Sequence, residues 1–192
     1  METVREEKAR LRAWVRRQRR EQPQERLMRE SEEICQRLLA LPELKRARTV
    51  FCYVSCGGEV ETHRLIACLL EREKCVLAPR CRENGRMDCV PITGMGQLRP
   101  GAYGILEPLP ELEALPPEAV DFAVIPALAC GLDGSRLGQG GGYYDRFFAG
   151  TDCASAALCQ ECFLLPTVPC EAHDQRMKRI VSSQRTLCFE DV

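Results

Sequence analysis

Apolar residues recur along this chain with two different periods, and the order of those periods predicts the architecture. Over residues 4–21, Val4, Leu11, Trp14 and Val15 stand at helical spacing among charged positions, which predicts an amphipathic helix. Pro23 interrupts the pattern. It resumes from Gln24 to Leu41, with Leu27, Ile34, Leu38 and Leu41 inward, and closes at Pro42. Thr49 to Ser55 is β-branched and aromatic enough for a buried strand, ended by Gly57-Gly58. Thr62 is placed to cap a helix reaching about Arg72 and carrying Leu65, Ile66, Leu69 and Leu70, and Lys74 to Pro79 is the next short strand. Strand, helix and strand in this order read as a βαβ unit, which favours a parallel sheet.

Further on, Asn84-Gly85 marks a turn and Met87 to Ile92 a returning strand paired as a hairpin with the one before it. From Thr93 to Glu118 no period is sustained and Pro100, Pro108, Pro110, Pro116 and Pro117 accumulate, so this reads as an extended surface loop. Asp121 to Cys130 is one continuous apolar run, the pattern of a strand covered on both faces. Tyr143 to Phe148 can open a helix, and Ala154–Leu158 and Val181–Phe189 supply the last strands. The expected fold is α/β: a single three-layer domain over residues 1–192 with a mostly parallel, Rossmann-like central sheet. At 192 residues and 45% hydrophobic content the chain can bury a core of that size.

Charge changes this picture only locally. The formal net charge is -1, which argues for no polyanionic partner overall, yet Lys8, Arg10, Arg12, Arg16, Arg17, Arg19 and Arg20 crowd the first helix. Such a face is ordinarily solvated, with RNA binding as the second reading. The thirteen cysteines are an odd number scattered through apolar runs, the usage of small buried hydrophobes in a reducing compartment. Cys159-Gln160-Glu161-Cys162 is a lone pair without a partner pair at zinc spacing. The N-terminus is charged and no run approaches the ~20 apolar residues of a membrane span, so a cytoplasmic monomer is expected.

Candidate chemistry concentrates in residues 133–146, Asp-Gly-Ser-Arg-Leu-Gly-Gln-Gly-Gly-Gly-Tyr-Tyr-Asp-Arg. Gly138, Gly140, Gly141 and Gly142 fall within five positions, bordered by Arg136 and Asp145. Each glycine costs backbone entropy on folding, so the pattern implies a loop whose bare backbone is approached by a ligand. Strand, glycine loop and helix is the order in which open α/β sheets hold phosphates beyond their strands' carboxyl ends. It is not a P-loop, for no Gly-Lys-Ser/Thr follows, nor a Gly-x-Gly-x-x-Gly dinucleotide fingerprint.

Arg-Leu-Gly-x-Gly-x-Gly-Tyr-Tyr-Asp, as it stands at Arg136 to Asp145, resembles the signature of the 5-formyltetrahydrofolate cyclo-ligase family. The likeness extends to Lys8–Arg12, Glu59-Val60-Glu61-Thr62, Gly104-Ile105-Leu106-Glu107-Pro108 and Val168-Pro169-Cys170-Glu171-Ala172-His173-Asp174. The resemblance implies an enzyme that uses MgATP to convert 5-formyltetrahydrofolate to 5,10-methenyltetrahydrofolate, ADP and phosphate. It assigns Lys8, Arg12, Arg136, Gly138, Gly140, Gly141, Gly142 and Tyr144 to ATP. Val54, Glu59, Gln139, Gly140, Gly141, Gly142 and Tyr143 fall to the folate. Asp145 and Asp174 become the Mg²⁺ carboxylates, and Arg136 and Asp145 the residues nearest the chemistry. One of Tyr143 and Tyr144 is expected in the core. The chain departs from the family at Cys130-Gly131, where Phe-Asp is common, and at Lys178, where an acid often stands. Sequestering of formylfolate or nucleotide without turnover, and an RNA-associated role, are the alternatives to catalysis.

Overall fold

The computed structural model describes residues 2–101, 104–172 and 174–189. Its elements in chain order are α1 (Val4–Glu21), α2 (Gln24–Leu39), α3 (Pro42–Arg46), β1 (Thr49–Cys52), α4 (His63–Glu71), β2 (Cys75–Cys81), β3 (Met87–Ile92), β4 (Leu98–Pro100), β5 (Leu106–Pro108), β6 (Phe122–Pro126), β7 (Ala129–Gly131), β8 (Arg136–Leu137), α5 (Tyr143–Phe148), β9 (Ala154–Leu158), β10 (Leu164–Leu165), β11 (Arg179–Val181) and β12 (Thr186–Cys188). Seven strands form the central sheet in the order β12-β11-β9-β6-β1-β2-β3. The five inner strands run parallel, and only the edge strands β3 and β12 are antiparallel to their neighbours.

The inner strands β1 and β6 are almost wholly apolar because both faces of the sheet are covered. Val50 and Cys52 of β1, with Phe122 and Val124 of β6, face Ile34 and Leu38 of α2 and Leu65, Ile66 and Leu69 of α4. Phe51, Ala123 and Ile125 point the other way, onto Val15 of α1 and Phe147 of α5. Phe51 and Phe147 stack with ring centroids 4.8 Å apart. Burying such a ring contributes roughly 2–3 kcal/mol, so the β1 pattern ties both helical layers to one strand. The chain leaves β1 toward β2 on one side of the sheet and later continues from β6 toward β9 on the other. A crevice opens where that direction reverses, beyond the carboxyl ends of β1 and β6.

Several expected boundaries shift, each for a local reason. The run 121–130 is two strands, because the chain turns after Pro126 and Ala129–Gly131 joins a separate three-stranded sheet, order β10-β7-β8. The stretch 93–118 contains the antiparallel pair β4 and β5 besides irregular backbone. Val181–Phe189 is the end of β11 plus β12, folded back on each other. α2 ends at Leu39, and Pro42 opens α3, where its missing N–H costs nothing. Thr62 sits at the start of α4 without capping it, since its hydroxyl donates to the Tyr53 carbonyl (2.8 Å) and accepts from Ser55 N–H (3.0 Å). The inward face of α1 also differs. Lys8, Val15 and Arg19 are its buried residues, while Val4 and Trp14 remain more than a third exposed.

Candidate active site

The crevice at the reversal point is a cavity of about 640 Å³, a size usual for small-molecule sites. Every residue singled out from the sequence lines it: Lys8, Arg12, Val54, Glu59, Arg136, Gly138–Tyr144, Asp145 and Asp174. Four chain segments converge there, and each is held by bonds that the local sequence explains.

The loop after β1 carries Glu59. Tyr53 donates from its hydroxyl to the Val60 carbonyl (2.8 Å), and Ser55 and Thr62 exchange hydroxyl and amide bonds at 3.0 Å. These staples fold residues 53–62 back on themselves, and the amide of Cys56 donates to Glu59 Oε2 (3.1 Å). Burial raises the Glu59 carboxyl above the usual range, while the Cys56 N–H, the Arg19 charge and Gln139 work against that rise.

The hairpin of β7 and β8 carries Arg136, whose side chain is 4% exposed. Its Nη2 donates to Asp145 Oδ1 (3.1 Å) in the first turn of α5, and Nη1 to the Pro126 carbonyl (3.4 Å) at the end of β6. The guanidinium lies 5.7 Å from the centre of the Tyr144 ring. Its Nε is buried with no partner among the described residues. Tyr144 packs edge-on against Phe51 at 6.5 Å, so its ring joins the core while it also borders the cavity. Burial, and then the Glu59 charge, push its phenol up, against the pull of Arg136.

Asp133 ties this hairpin to the segment that bears Asp174. It accepts from Ser135 N–H (3.1 Å) and hydroxyl (2.5 Å), from Thr167 (3.0 Å) and from Arg176 (3.3 Å). A Cβ on Gly131 would lie 2.2 Å from Ser135 Oγ and 2.3 Å from Asp133 Oδ1. The glycine in the Cys130-Gly131 departure is thus the residue that leaves room for the Asp133 carboxylate.

The fourth segment is α1. Lys8, Arg12 and Arg16, four residues apart, present one stripe to the cavity. Lys8 Nζ donates to Asp174 Oδ2 (2.5 Å) and Glu171 Oε2 (2.7 Å). Burial disfavours its charge, but the two carboxylates outweigh burial and raise its pKa. Arg12 Nε donates to the Gly138 carbonyl (2.9 Å), and Arg16 Nη2 to Gln139 Oε1 (2.9 Å). The glycine loop is therefore pinned to α1 through a carbonyl and a carboxamide. Gly140 and Gly142 have φ of 103° and 66°, a region closed to most side chains. Arg146 donates to the Gly85 carbonyl (3.0 Å) and to that of Gly141, fastening the loop's far side to the turn between β2 and β3.

Two carboxylates on the cavity wall are of the type a hard divalent cation prefers, and each is paired with a cationic side chain, Asp145 with Arg136 and Asp174 with Lys8. Asp145 offers a carboxylate on the cavity wall and Asp174 a second one, which also accepts from the Glu171 amide (2.7 Å). Mg²⁺ needs no more than one or two protein carboxylates when phosphate oxygens and water supply the rest. Among the described residues no cluster of three or more His, Cys, Asp or Glu side chains is placed for a metal.

Arg16, Glu107 and Glu171 line the cavity too and were missed from sequence. Arg16 had a signal, the continuation of the Lys8, Arg12 spacing. Glu107 and Glu171 stood within the quoted segments, but nothing in their spacing linked them to the loop. His173 lies outside the described residues.

A profile of the 5-formyltetrahydrofolate cyclo-ligase family matches residues 4–183, nearly the whole chain. The chain belongs to that family. The protein of Mycolicibacterium smegmatis named 5-formyltetrahydrofolate cyclo-ligase is 34% identical over 148 residues, 72% of this chain and 75% of that one. The protein of that name from Saccharomyces cerevisiae is 30% identical over 178 residues, covering 79% and 83%. The solution structure of Aquifex aeolicus 5,10-methenyltetrahydrofolate synthetase superposes with a TM-score of 0.86 at 31% identity, over 96% of this chain and 94% of that one. The family's mixed α/β fold with a mostly parallel sheet is the fold described above. Among the described residues no helix is long and apolar enough to cross a membrane.

Proposed function

We propose that this chain is a 5-formyltetrahydrofolate cyclo-ligase, converting 5-formyltetrahydrofolate and ATP to 5,10-methenyltetrahydrofolate, ADP and phosphate. The observation that carries this reading, beside family membership, is one cavity lined by both cationic and apolar side chains. Lys8, Arg12 and Arg136 supply cations, while Val54, Met87, Ile105 and Tyr143 supply apolar and aromatic surface, with Glu59 as an acceptor. A triphosphate suits the first and a pterin the second.

The chemistry explains why both are needed. A formamide oxygen leaves poorly, so the γ-phosphoryl passes to it, N10 of the folate attacks the activated carbon, and phosphate departs as the ring closes. The protein's share is alignment and charge stabilisation rather than a nucleophile of its own. Arg136 supports this most directly: it lines the cavity, and its planar fork of donors suits a phosphoryl oxyanion. Its contact with Asp145 and the Tyr144 ring holds the fork in one orientation before substrate arrives. Glu59 would accept hydrogen bonds from the pterin amino and ring N–H groups. Asp145 and Asp174 would hold Mg²⁺, which when bound neutralises phosphate charge.

The test is to mix the pure protein with MgATP and 5-formyltetrahydrofolate. Methenylfolate absorbance together with an equal amount of phosphate is the expected result. Binding of both ligands by calorimetry without either product would instead make the chain a sequestering module.

A further inference from the structure

Gln139 spans the mouth of the cavity, and what holds each end of its carboxamide decides which way the amide faces. At one end Arg16 Nη2 donates to Gln139 Oε1 at 2.9 Å and to the Gln139 carbonyl at 3.4 Å. At the other, Gln139 Nε2 donates to Glu59 Oε1 at 3.4 Å. A guanidinium has only donors and an ionised carboxylate only acceptors. With the amide reversed, NH₂ would meet guanidinium and carbonyl oxygen would meet carboxylate, so both ends would repel. One orientation survives because Arg16 is where it is.

We infer that Arg16 is a positioning residue, acting through Gln139 to aim an N–H donor at Glu59 and strap the glycine loop across the folate side of the cavity. This rests on the reading of Glu59 as a folate contact. Arg16 is exposed and continues the Lys8, Arg12 stripe, so the alternative is that it meets ATP phosphates directly. The relay predicts something a phosphate contact does not. Glu59 has its other oxygen on the Cys56 amide, so the Gln139 donor fixes the rotation of the carboxylate as well as part of its charge. The groups facing Glu59 are Arg19 of α1, Cys56 and Tyr53 of its own loop, Tyr144 of α5 and Gln139; only Arg19 and Gln139 come from other elements and favour the ionised form.

Two variants separate the possibilities. Arg16→Met removes the charge from an exposed position without burying anything unpaired. Its affinity for 5-formyltetrahydrofolate, measured by calorimetry, is expected to fall roughly tenfold, the scale of one charge-assisted hydrogen bond, with ATP affinity within twofold of wild type. Gln139→Glu keeps an acceptor for Arg16 but places a carboxylate against Glu59. Folate affinity should fall at least as far at pH 8 and recover toward pH 5.5, as the two carboxylates come to share a proton. Arg16→Lys should restore most of the loss. A readout free of ligand accompanies these: melting of the unliganded Gln139→Glu protein, which should drop relative to wild type as pH rises from 5.5 to 8. If wild type shows no turnover the cyclo-ligase reading fails, whereas the melts and folate titrations still decide the relay. An Arg16→Met variant that loses ATP affinity and keeps folate affinity would overturn it. So would a Gln139→Glu variant with wild-type melting and folate binding at both pH values.

Discussion

Arg136 and Asp145 touch each other at 3.1 Å and are proposed to manage opposite charges, so their variants should fail in different ways. Arg136→Lys keeps one charge but loses the planar fork that reaches Asp145 and Pro126 together. A kcat drop of about 10²-fold with modest change in ATP affinity is expected from steady-state kinetics. Asp145→Asn should instead lose rate that added Mg²⁺ partly restores, and rescue of the arginine variant alone would contradict the assignment. Glu59 makes a second prediction, with a sign set by burial. Its folded carboxyl titrates above the unfolded one, so protonated Glu59 adds stability that is lost as pH rises through the raised value. Glu59→Gln should therefore melt above wild type at pH 7, with the gap closing near pH 4. The same variant should lose folate affinity while ATP binding to the free protein stays unchanged. Glu59, Arg136 and Asp145 were each legible in the sequence as types at a glycine loop or strand end. Their pairings were not, because Arg136 is nine residues from Asp145 along the chain and 3.1 Å away only once β8 turns into the loop and α5.

At the scale of an element, α1 is the unusual one. Its sequence read as an apolar stripe with a solvated cationic face, yet Lys8 and Arg19 are among its buried residues. The reason is tertiary: Asp174, the Ala127 carbonyl and the Phe163 ring wait where those side chains arrive. Lys8 is therefore a docking residue as well as a proposed phosphate contact. Replacing Lys8 by Met removes the buried ammonium that donates to Asp174 and Glu171, and should destabilise the fold by about 1–3 kcal/mol in urea titrations. The double variant with Asp174→Asn should recover part of that loss, whereas additive losses would show that the pair is uncoupled. The hairpin of β7 and β8 makes a companion case. Nothing in Cys130-Gly131 announced that a neighbouring aspartate would use the space above the glycine, since that depends on how Asp133 folds back on Ser135 and Thr167. Gly131→Ala forces Asp133, Ser135 and the Thr167 backbone to shift, and should cost about 1–3 kcal/mol, read in the same titration.

For the whole molecule, the cavity joins segments from residue 8 to residue 174, so any ligand that fills it couples α1, the sheet and the C-terminal segment. Saturating MgATP and 5-formyltetrahydrofolate should each raise the melting temperature, by about 2.7 kcal/mol of stabilisation at a hundred times the dissociation constant. No shift with either ligand would argue against the cavity as their site. The sequence by itself determined the class of fold, because runs as apolar as 50–54 and 122–130 need cover on both faces, and the β1–α4–β2 order sets parallel pairing. It also marked the glycine loop, because four glycines within five positions between Arg136 and Asp145 call for backbone conformations and close approaches that other residues do not permit. Only the tertiary structure decided that residues 121–130 break at Pro126 to aim Arg136 into the crevice, and that α1 closes the fourth wall. Both depend on contacts between segments remote in the chain, where packing and charge pairing override the local pattern that a sequence displays.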